Sequence, residues 1–384
     1  MPDKPIYLDY AASTPVDERV WDCMRETSAR TCANPSSTHA AGRLTHEIIA
    51  TAAERLGTML NADPGTLVWT SGATESDNLA IAGGARYRAH RGRHIVTMKT
   101  EHKAVTDVFE HLATQGFDVS WVDPGSNGVL DPAEFERALR DDTQFASIMY
   151  VNNETGVVQD IAALGAICRE RDILFHVDAA QAAGKLEIDL AALPVDLMSV
   201  TAHKFYGPKG IGALYIADRA GCHVDPILFG GGQQRRIRPG TLPTELIAGF
   251  GKTAEIATSR IDDDLAHLRT MRAALWDGIC GIDGLLLNGD ADGFPGILNV
   301  SVEGVEGESL LLALEPLVVA TGSACNSKSQ EPSYVLRALG RDDAQAQSAI
   351  RFSIGRQTTT DEVRFAARRY CEAVARLRAL APPA

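Results

Sequence analysis

The sequence predicts an α/β protein: a mainly parallel sheet in a large domain, with a smaller α+β domain beside it. Three observations carry this. From about residue 16 to 258, short β-rich runs alternate with helical stretches, the rhythm of parallel strands covered by helices on both faces. Ser71, His102, Asp178 and Lys204 each fall at or just after the end of such a run, where ligands sit in open sheets of this kind. After residue 259 the rhythm breaks into longer helical patterns with isolated strands.

Residues 67–70 read as a strand leading into a helix from Thr74. Residues 94–98, 119–122 and 145–151 read as further strands, rich in β-branched and aromatic side chains. Strands at 174–178, 197–201 and 211–216 complete the set. A polar helix over 262–279 leads to a strand at 297–302, a helix near Ser309, a strand at 350–354 and a last helix from Thr360. The expected division gives residues 16–258 to the large domain and residues 1–15 with 259–384 to the small one. At ~100–200 residues per domain the chain has ample length for this.

The formal net charge of −13 argues against a broad nucleic-acid or anionic-membrane surface. Arg235, Arg236 and Arg238 in so acidic a chain read as loop or interface charges. No charge-free apolar stretch approaches the ~18 residues of a membrane span, and no secretory pattern opens the chain. Cys23, Cys32, Cys168, Cys222, Cys280, Cys325 and Cys371 form no C-x-x-C pair or zinc-like cluster. No metal site is expected, and the odd count fits reduced thiols in the cytoplasm. A free cysteine is ordinarily a small buried hydrophobe, which suits Cys168 and Cys371. Cys325 differs, because small and polar neighbours on both sides predict an accessible loop.

The most informative stretch is Thr201-Ala202-His203-Lys204-Phe205-Tyr206-Gly207-Pro208-Lys209-Gly210. A lysine where a strand meets a rigid, glycine-rich turn is suited to holding an aldehyde as a Schiff base, with a histidine and a hydroxyl nearby to meet a phosphate. Most lysines are solvated surface charges; the flanking pattern overrides that reading here. Other residues leave alternatives open. Ser71-Gly72-Ala73-Thr74-Glu75-Ser76 suits a phosphate site at a helix start or an ordinary cap. Asp178 is a helix cap or a ligand partner. His102 is a structural hydrogen-bonder or a proton carrier. Asn152-Asn153-Glu154-Thr155-Gly156 suits any turn. Arg356, after a strand and a glycine, suits a two-pronged grip on a carboxylate or a surface ion pair.

The lysine stretch is similar to the lysine motif of aminotransferase-like pyridoxal 5′-phosphate (PLP) enzymes. Thr321-Gly322-Ser323-Ala324-Cys325-Asn326-Ser327, followed by Glu331-Pro332-Ser333-Tyr334-Val335-Leu336, resembles the cysteine desulfurases of the iron–sulfur-assembly type, in the class V aminotransferase family. The likeness runs from Tyr7-Leu8-Asp9-Tyr10-Ala11-Ala12 to Arg351-Phe352-Ser353-Ile354-Gly355-Arg356, almost the whole chain. It implies fold type I and a PLP enzyme that converts L-cysteine to L-alanine, carrying the sulfur as a persulfide on Cys325. By the same resemblance Lys204 holds PLP, Asp178 meets its pyridine nitrogen, Gln181 its ring hydroxyl, and Ala73, Thr74, Thr201 and His203 its phosphate. The family has serine where Thr201 stands, and threonine keeps the hydroxyl. His102 stacks on the ring and moves protons, Asn153 meets cofactor and substrate, and Arg356 takes the substrate carboxylate. Thr241 resembles a residue that reaches the phosphate from the other subunit, which implies a homodimer with shared active sites.

Lys204, once displaced by cysteine, is the natural base for the Cα proton. A thiol near its reference pKa of ~8.5 is only a few per cent ionised at neutral pH, so Cys325 needs help, from His102 or Lys328. The segment around Cys325 is long and polar, as in the long-loop group, and would hand sulfur to an acceptor protein, a cluster scaffold or another relay. The chain ends at Ala381-Pro382-Pro383-Ala384 where assembly-type members carry a longer tail, so tRNA thiolation and DNA phosphorothioation stay open beside cluster assembly. A selenocysteine lyase or another PLP enzyme of this fold would share Lys204 and Asp178, though an aminotransferase has no need of Cys325. A non-catalytic sulfur-carrying scaffold is opposed by retention of the lysine, the aspartate, the phosphate loop and the arginine.

Overall fold

The computed structural model describes residues 4–321 and 331–380. A seven-stranded sheet lies at its centre, in the order Leu67–Thr70, Gly212–Ile216, Leu197–Thr201, Leu174–Asp178, Thr143–Ser147, His94–Met98, Asp118–Val122. Gly212–Ile216 runs antiparallel to both neighbours, and the other pairs are parallel.

Each central strand feeds two cores. Val68, Ile95, Phe145, Leu174 and Leu197 join one apolar cluster, with side chains of the helices Ala73–Arg88 and Lys103–Thr114. Their sequence neighbours Trp69, Val96, Ala146, Phe175 and Met198 join the other, with side chains of Ala40–Leu60, Ile161–Glu170 and Thr244–Ile279. The period-two pleat thus sends successive side chains to opposite helical layers. That explains the near-continuous apolar runs, because both faces are buried. Residues 148–151, expected as strand, lie beyond Thr143–Ser147, with a bend at Tyr150 and an isolated bridge from Val151 to Val158. There the Ile148 and Tyr150 amides donate to the His176 and Asp178 carbonyls at 3.1 and 2.9 Å.

The helix Thr244–Ile279 has 36 residues, about 54 Å at 1.5 Å per residue. It begins well before the expected residue 262. Gly249 and Gly251 weaken the helical signal there, since glycine is a poor helix former. Packing requires the second of them: a Cβ on Gly251 would stand 2.6 Å from the Ala52 Cα. The helix lies against Glu18–Arg30 and Ala40–Leu60 and also against Thr360–Leu380, so the expected division at 258/259 falls inside it.

A second, antiparallel sheet has the order Ala320–Thr321, Ile350–Ser353, Ile297–Val302, Leu285–Leu287. Ile6–Tyr7 pairs with Leu317–Val318, and the Ser353 amide donates to the Leu8 carbonyl at 2.8 Å. From this anchor the chain crosses to the large sheet, where the Thr14 amide donates to the His203 carbonyl at 2.9 Å. The crossing carries Ala11 and Ala12 past the end of the lysine-bearing strand. No helix among the described residues is long and apolar enough to cross a membrane.

Candidate active site

A cavity of about 520 Å³ opens at the ends of the central strands. Lys204, Asp178, His102 and Asn153 line it, together with Gln181, Thr201 and His203 and the helix start at Ala73 and Thr74. Strand ends bring these distant residues together because parallel strands all finish on the same edge of the sheet.

Lys204 closes a single helical turn, Ala202–Lys204, directly after its strand. Its ammonium donates to the carbonyls of Ala11 and Ala12 at 2.7 and 2.9 Å. It lines this cavity and also a small one of about 30 Å³. Asp178 is buried, and its Oδ1 accepts the Ala180 amide at 2.8 Å. Burial pushes the carboxyl upward, opposed by that hydrogen bond and by His102 and Lys204. A cation placed against Asp178 would favour the ionised form.

His102 caps the helix Lys103–Thr114, its Nδ1 accepting the Ala104 amide at 3.1 Å. Burial pushes the imidazole down, with Asp178 acting against that and Lys204 with it. Burial thus favours the neutral ring, and an Nδ1 that accepts from the backbone leaves Nε2 as the position for its proton. His203 is pushed down to about 4 by burial, then by Lys204, Lys209 and Lys185. The helix Ala73–Arg88 starts at Gly72 with no side-chain cap, leaving its first amides for an anion.

The donor set fits PLP. A buried carboxylate suits a protonated ring nitrogen, an uncapped helix start with hydroxyls suits a phosphate, and a lysine at the strand end suits an aldehyde. Lys209, absent from the sequence expectation, also lines the cavity and adds a cation. The neighbouring asparagines divide their work. Asn152 ties the turn together, its Oδ1 accepting from the Glu154 and Thr155 amides at 2.9 Å, while Asn153 faces the cavity.

The structure places two expected residues outside this cavity. Arg356 lines the small cavity instead, where its Nε donates to Asp264 at 2.8 Å and its Nη1 reaches Asp17 at 3.4 Å. Its guanidinium also lies 4.2 Å from the Tyr206 ring centroid. Two carboxylates and an aromatic face occupy the fork. Thr241, expected to serve the other subunit's phosphate site, is exposed and does not line this cavity. Cys325 and Lys328 lie outside the described residues.

Arg351 stands where Arg356 was expected. It lines the main cavity, donating from Nη1 to the Asn153 carbonyl and from Nη2 to Asp9, both at 2.8 Å. Its buried Nε has no hydrogen-bond partner among the described residues. The missed signal was strand alternation: Ile350 and Phe352 enter the core, so the intervening arginine must face the other way.

Just downstream of the Cys325 segment, Ser333 donates to Glu154 and the Tyr334 hydroxyl donates to the Glu101 carbonyl, both at 2.6 Å. Burial pushes Glu154 up to about 7. Burial also raises the Cys168 thiol, and Cys222 to about 12, which leaves both poorly ionised. No group of three or more metal-ligating side chains occurs among the described residues.

Residues 6–365 match the aminotransferase class-V family. The chain belongs to that family. This class-V enzyme is 51% identical over 382 residues to the cysteine desulfurase IscS of Enterobacter sp. (strain 638), covering 98% of this chain and 95% of that protein. The IscS of Neisseria meningitidis serogroup C (strain 053442) is 50% identical over 98% of this chain and 94% of its own length. Among solved structures, a NifS-like protein superposes with a TM-score of 0.90 at 33% identity, over 97% of this chain and all of its own. SspA in complex with cysteine gives 0.82 at 35% identity, over 92% of this chain and all of its own. The expected fold class, PLP dependence and cysteine desulfurase reading are borne out by these likenesses.

Proposed function

We propose that this class-V enzyme takes sulfur from L-cysteine, leaves L-alanine, and carries the sulfur as a persulfide on Cys325 to an acceptor protein. One observation supports the reading most: Lys204, Asp178 and an arginine whose buried Nε has no hydrogen-bond partner among the described residues share a single cavity. Lys204 would hold the PLP aldehyde, Asp178 the ring nitrogen, Gln181 the ring hydroxyl, and Ala73, Thr74, Thr201 and His203 the phosphate. His102 would meet the ring. Thr241 of the partner subunit completes the phosphate site in a cytoplasmic homodimer with shared active sites. When bound, PLP draws electrons from the amino acid and weakens its Cβ–S bond.

Arg351 takes the α-carboxylate, because Arg356 is already held by Asp264 and Asp17. Asn153 and Asp9 hold Arg351 in place. Lys204 moves the Cα proton. The Cys325 thiolate attacks the substrate sulfur: an S–S bond forms, the Cβ–S bond breaks, and the electron pair left on carbon takes a proton to give alanine. An acceptor protein, a cluster scaffold or another relay, then receives the outer sulfur.

Incubating the purified, PLP-loaded protein with L-cysteine tests this. Alanine release with a persulfide on the Cys325 peptide is expected. Brisk turnover of selenocysteine with little of cysteine would make it a selenocysteine lyase instead, and no turnover of either would refute the reading.

A further inference from the structure

The small cavity behind Lys204 contains a second lysine. Lys185 sits in the turn that follows Asp178, and it lines the cavity with Lys204, Tyr10, Tyr206, Asp264 and Arg356. Gly184 sets its position: the backbone there is left-handed, with φ of +70°, and a Cβ would run into the Phe205 ring. The Lys185 ammonium donates to Gln181 Oε1 at 2.7 Å. On its other side Gln181 Nε2 donates to the Ala11 carbonyl at 2.8 Å, the same carbonyl that accepts from Lys204 at 2.7 Å.

We propose that Lys185 is a positioning residue for the cofactor, fixing the Gln181 amide and setting a second cationic group against Lys204. The reading rests on PLP binding at Lys204. The Lys185 nitrogen donates to Oε1 and the Ala11 carbonyl only accepts, so the two together decide which way the Gln181 amide faces. Its NH2 group is held against the Ala11 carbonyl, and its second N–H would be open to a ring oxygen.

The charge argument is separate. Lys185 is pushed down to about 7, by burial first and then by Lys204 and Arg351. Such repulsion is mutual, so Lys185 makes Lys204 easier to deprotonate. An amine must be neutral to attack an aldehyde, and a neighbouring cation is one way to make it so near neutral pH. Asp264 faces the same cavity but is paired with Arg356 at 2.7 Å; in the main cavity Lys204 shares the walls with Asp178, which opposes its deprotonation, and with Arg351, Lys209, His102 and His203, and these are the same in wild type and variant. The Phe294 ring, 5.6 Å from the Lys185 nitrogen, gives the ammonium a further favourable face.

The test follows the rate at which the cofactor-stripped, full-length protein takes up PLP, across a pH series, by the absorbance of its lysine linkage. Lys185→Met is expected to move the profile upward by about one pH unit, roughly tenfold slower uptake at neutral pH, with full PLP content reached in the end. Lys185→Gln, equally uncharged but still a donor to Gln181, should shift the same way, and it decides the matter alone if the methionine variant does not fold. A profile that superimposes on wild type in either folded variant overturns the proposal. Absence of any linkage band in the wild-type protein, or an unchanged band in Lys204→Ala, would instead defeat the functional reading on which it rests.

Discussion

Exchanging the roles of two arginines five residues apart gives the sharpest test of this site. Arg351→Lys keeps a cation in the cavity but loses the planar fork, and with it one charge-assisted hydrogen bond to the substrate carboxylate. That loss is about 1.5–3 kcal/mol, or roughly tenfold to a hundredfold in cysteine affinity. Lysine still reaches toward Asp9, so PLP content should stay at wild-type level. Arg356→Ala should behave in the opposite way. It removes the cation shared by Asp264 and Asp17, all three side chains being about 15% exposed, and leaves those carboxylates to Arg260 and Arg19, at a cost of about 1.5–3 kcal/mol in stability for the lost charge-assisted hydrogen bonds. The assay pairs cysteine titration of the PLP-loaded protein, read by the change in cofactor absorbance, with a thermal unfolding scan. Wild-type affinity in Arg351→Lys, together with lost affinity and an unchanged melting temperature in Arg356→Ala, would refute the assignment and return the carboxylate to Arg356.

Lys204→Ala should abolish the lysine–cofactor absorbance band and nearly all alanine release; a band that persists would place the linkage on another lysine. Cys325→Ser should bind PLP and respond spectrally to cysteine as wild type does, yet form almost no protein persulfide, because a serine hydroxyl is barely ionised near neutral pH. Peptide mapping after labelled cysteine checks this, and label on buried Cys168 or half-buried Cys222 would contradict the expectation that both thiols stay protonated. Glu154 predicts a pH effect on stability. Its carboxyl binds its proton more tightly in the fold than the ordinary value of 4.5, up to about 7, so stability falls as pH rises between those values, by about 3 kcal/mol in all. Glu154→Gln should flatten that decline in urea unfolding measured across the same range, and an equal slope in both proteins would assign it elsewhere.

The sequence by itself determined the features that are written locally. A strand end followed by a particular turn is encoded in a few adjacent residues, so Lys204 after Leu197–Thr201, Asp178 at the end of Leu174–Asp178 and a helix start near Thr74 are legible locally, whereas the lack of a side-chain cap at that start is not. The alternation of strands and helices likewise follows from short-range pattern, and the mainly parallel sheet follows from the alternation. Less local features were not legible. The helix Thr244–Ile279 was read too short because Gly251 is a poor helix former whose reason is the distant Ala52.

Only the tertiary structure decided which arginine faces the cavity. Arg351 and Arg356 flank the same glycine-containing motif, and their environments are set by partners far along the chain: Asp9 and Asn153 for one, Asp17 and Asp264 for the other. The same holds for the carbonyls of Ala11 and Ala12 that hold Lys204, and for Lys185 behind it. The N-terminal crossing and the two sheets meet only once the chain has packed. A charge's role depends on what packing leaves beside it, and no local spacing in the sequence records that.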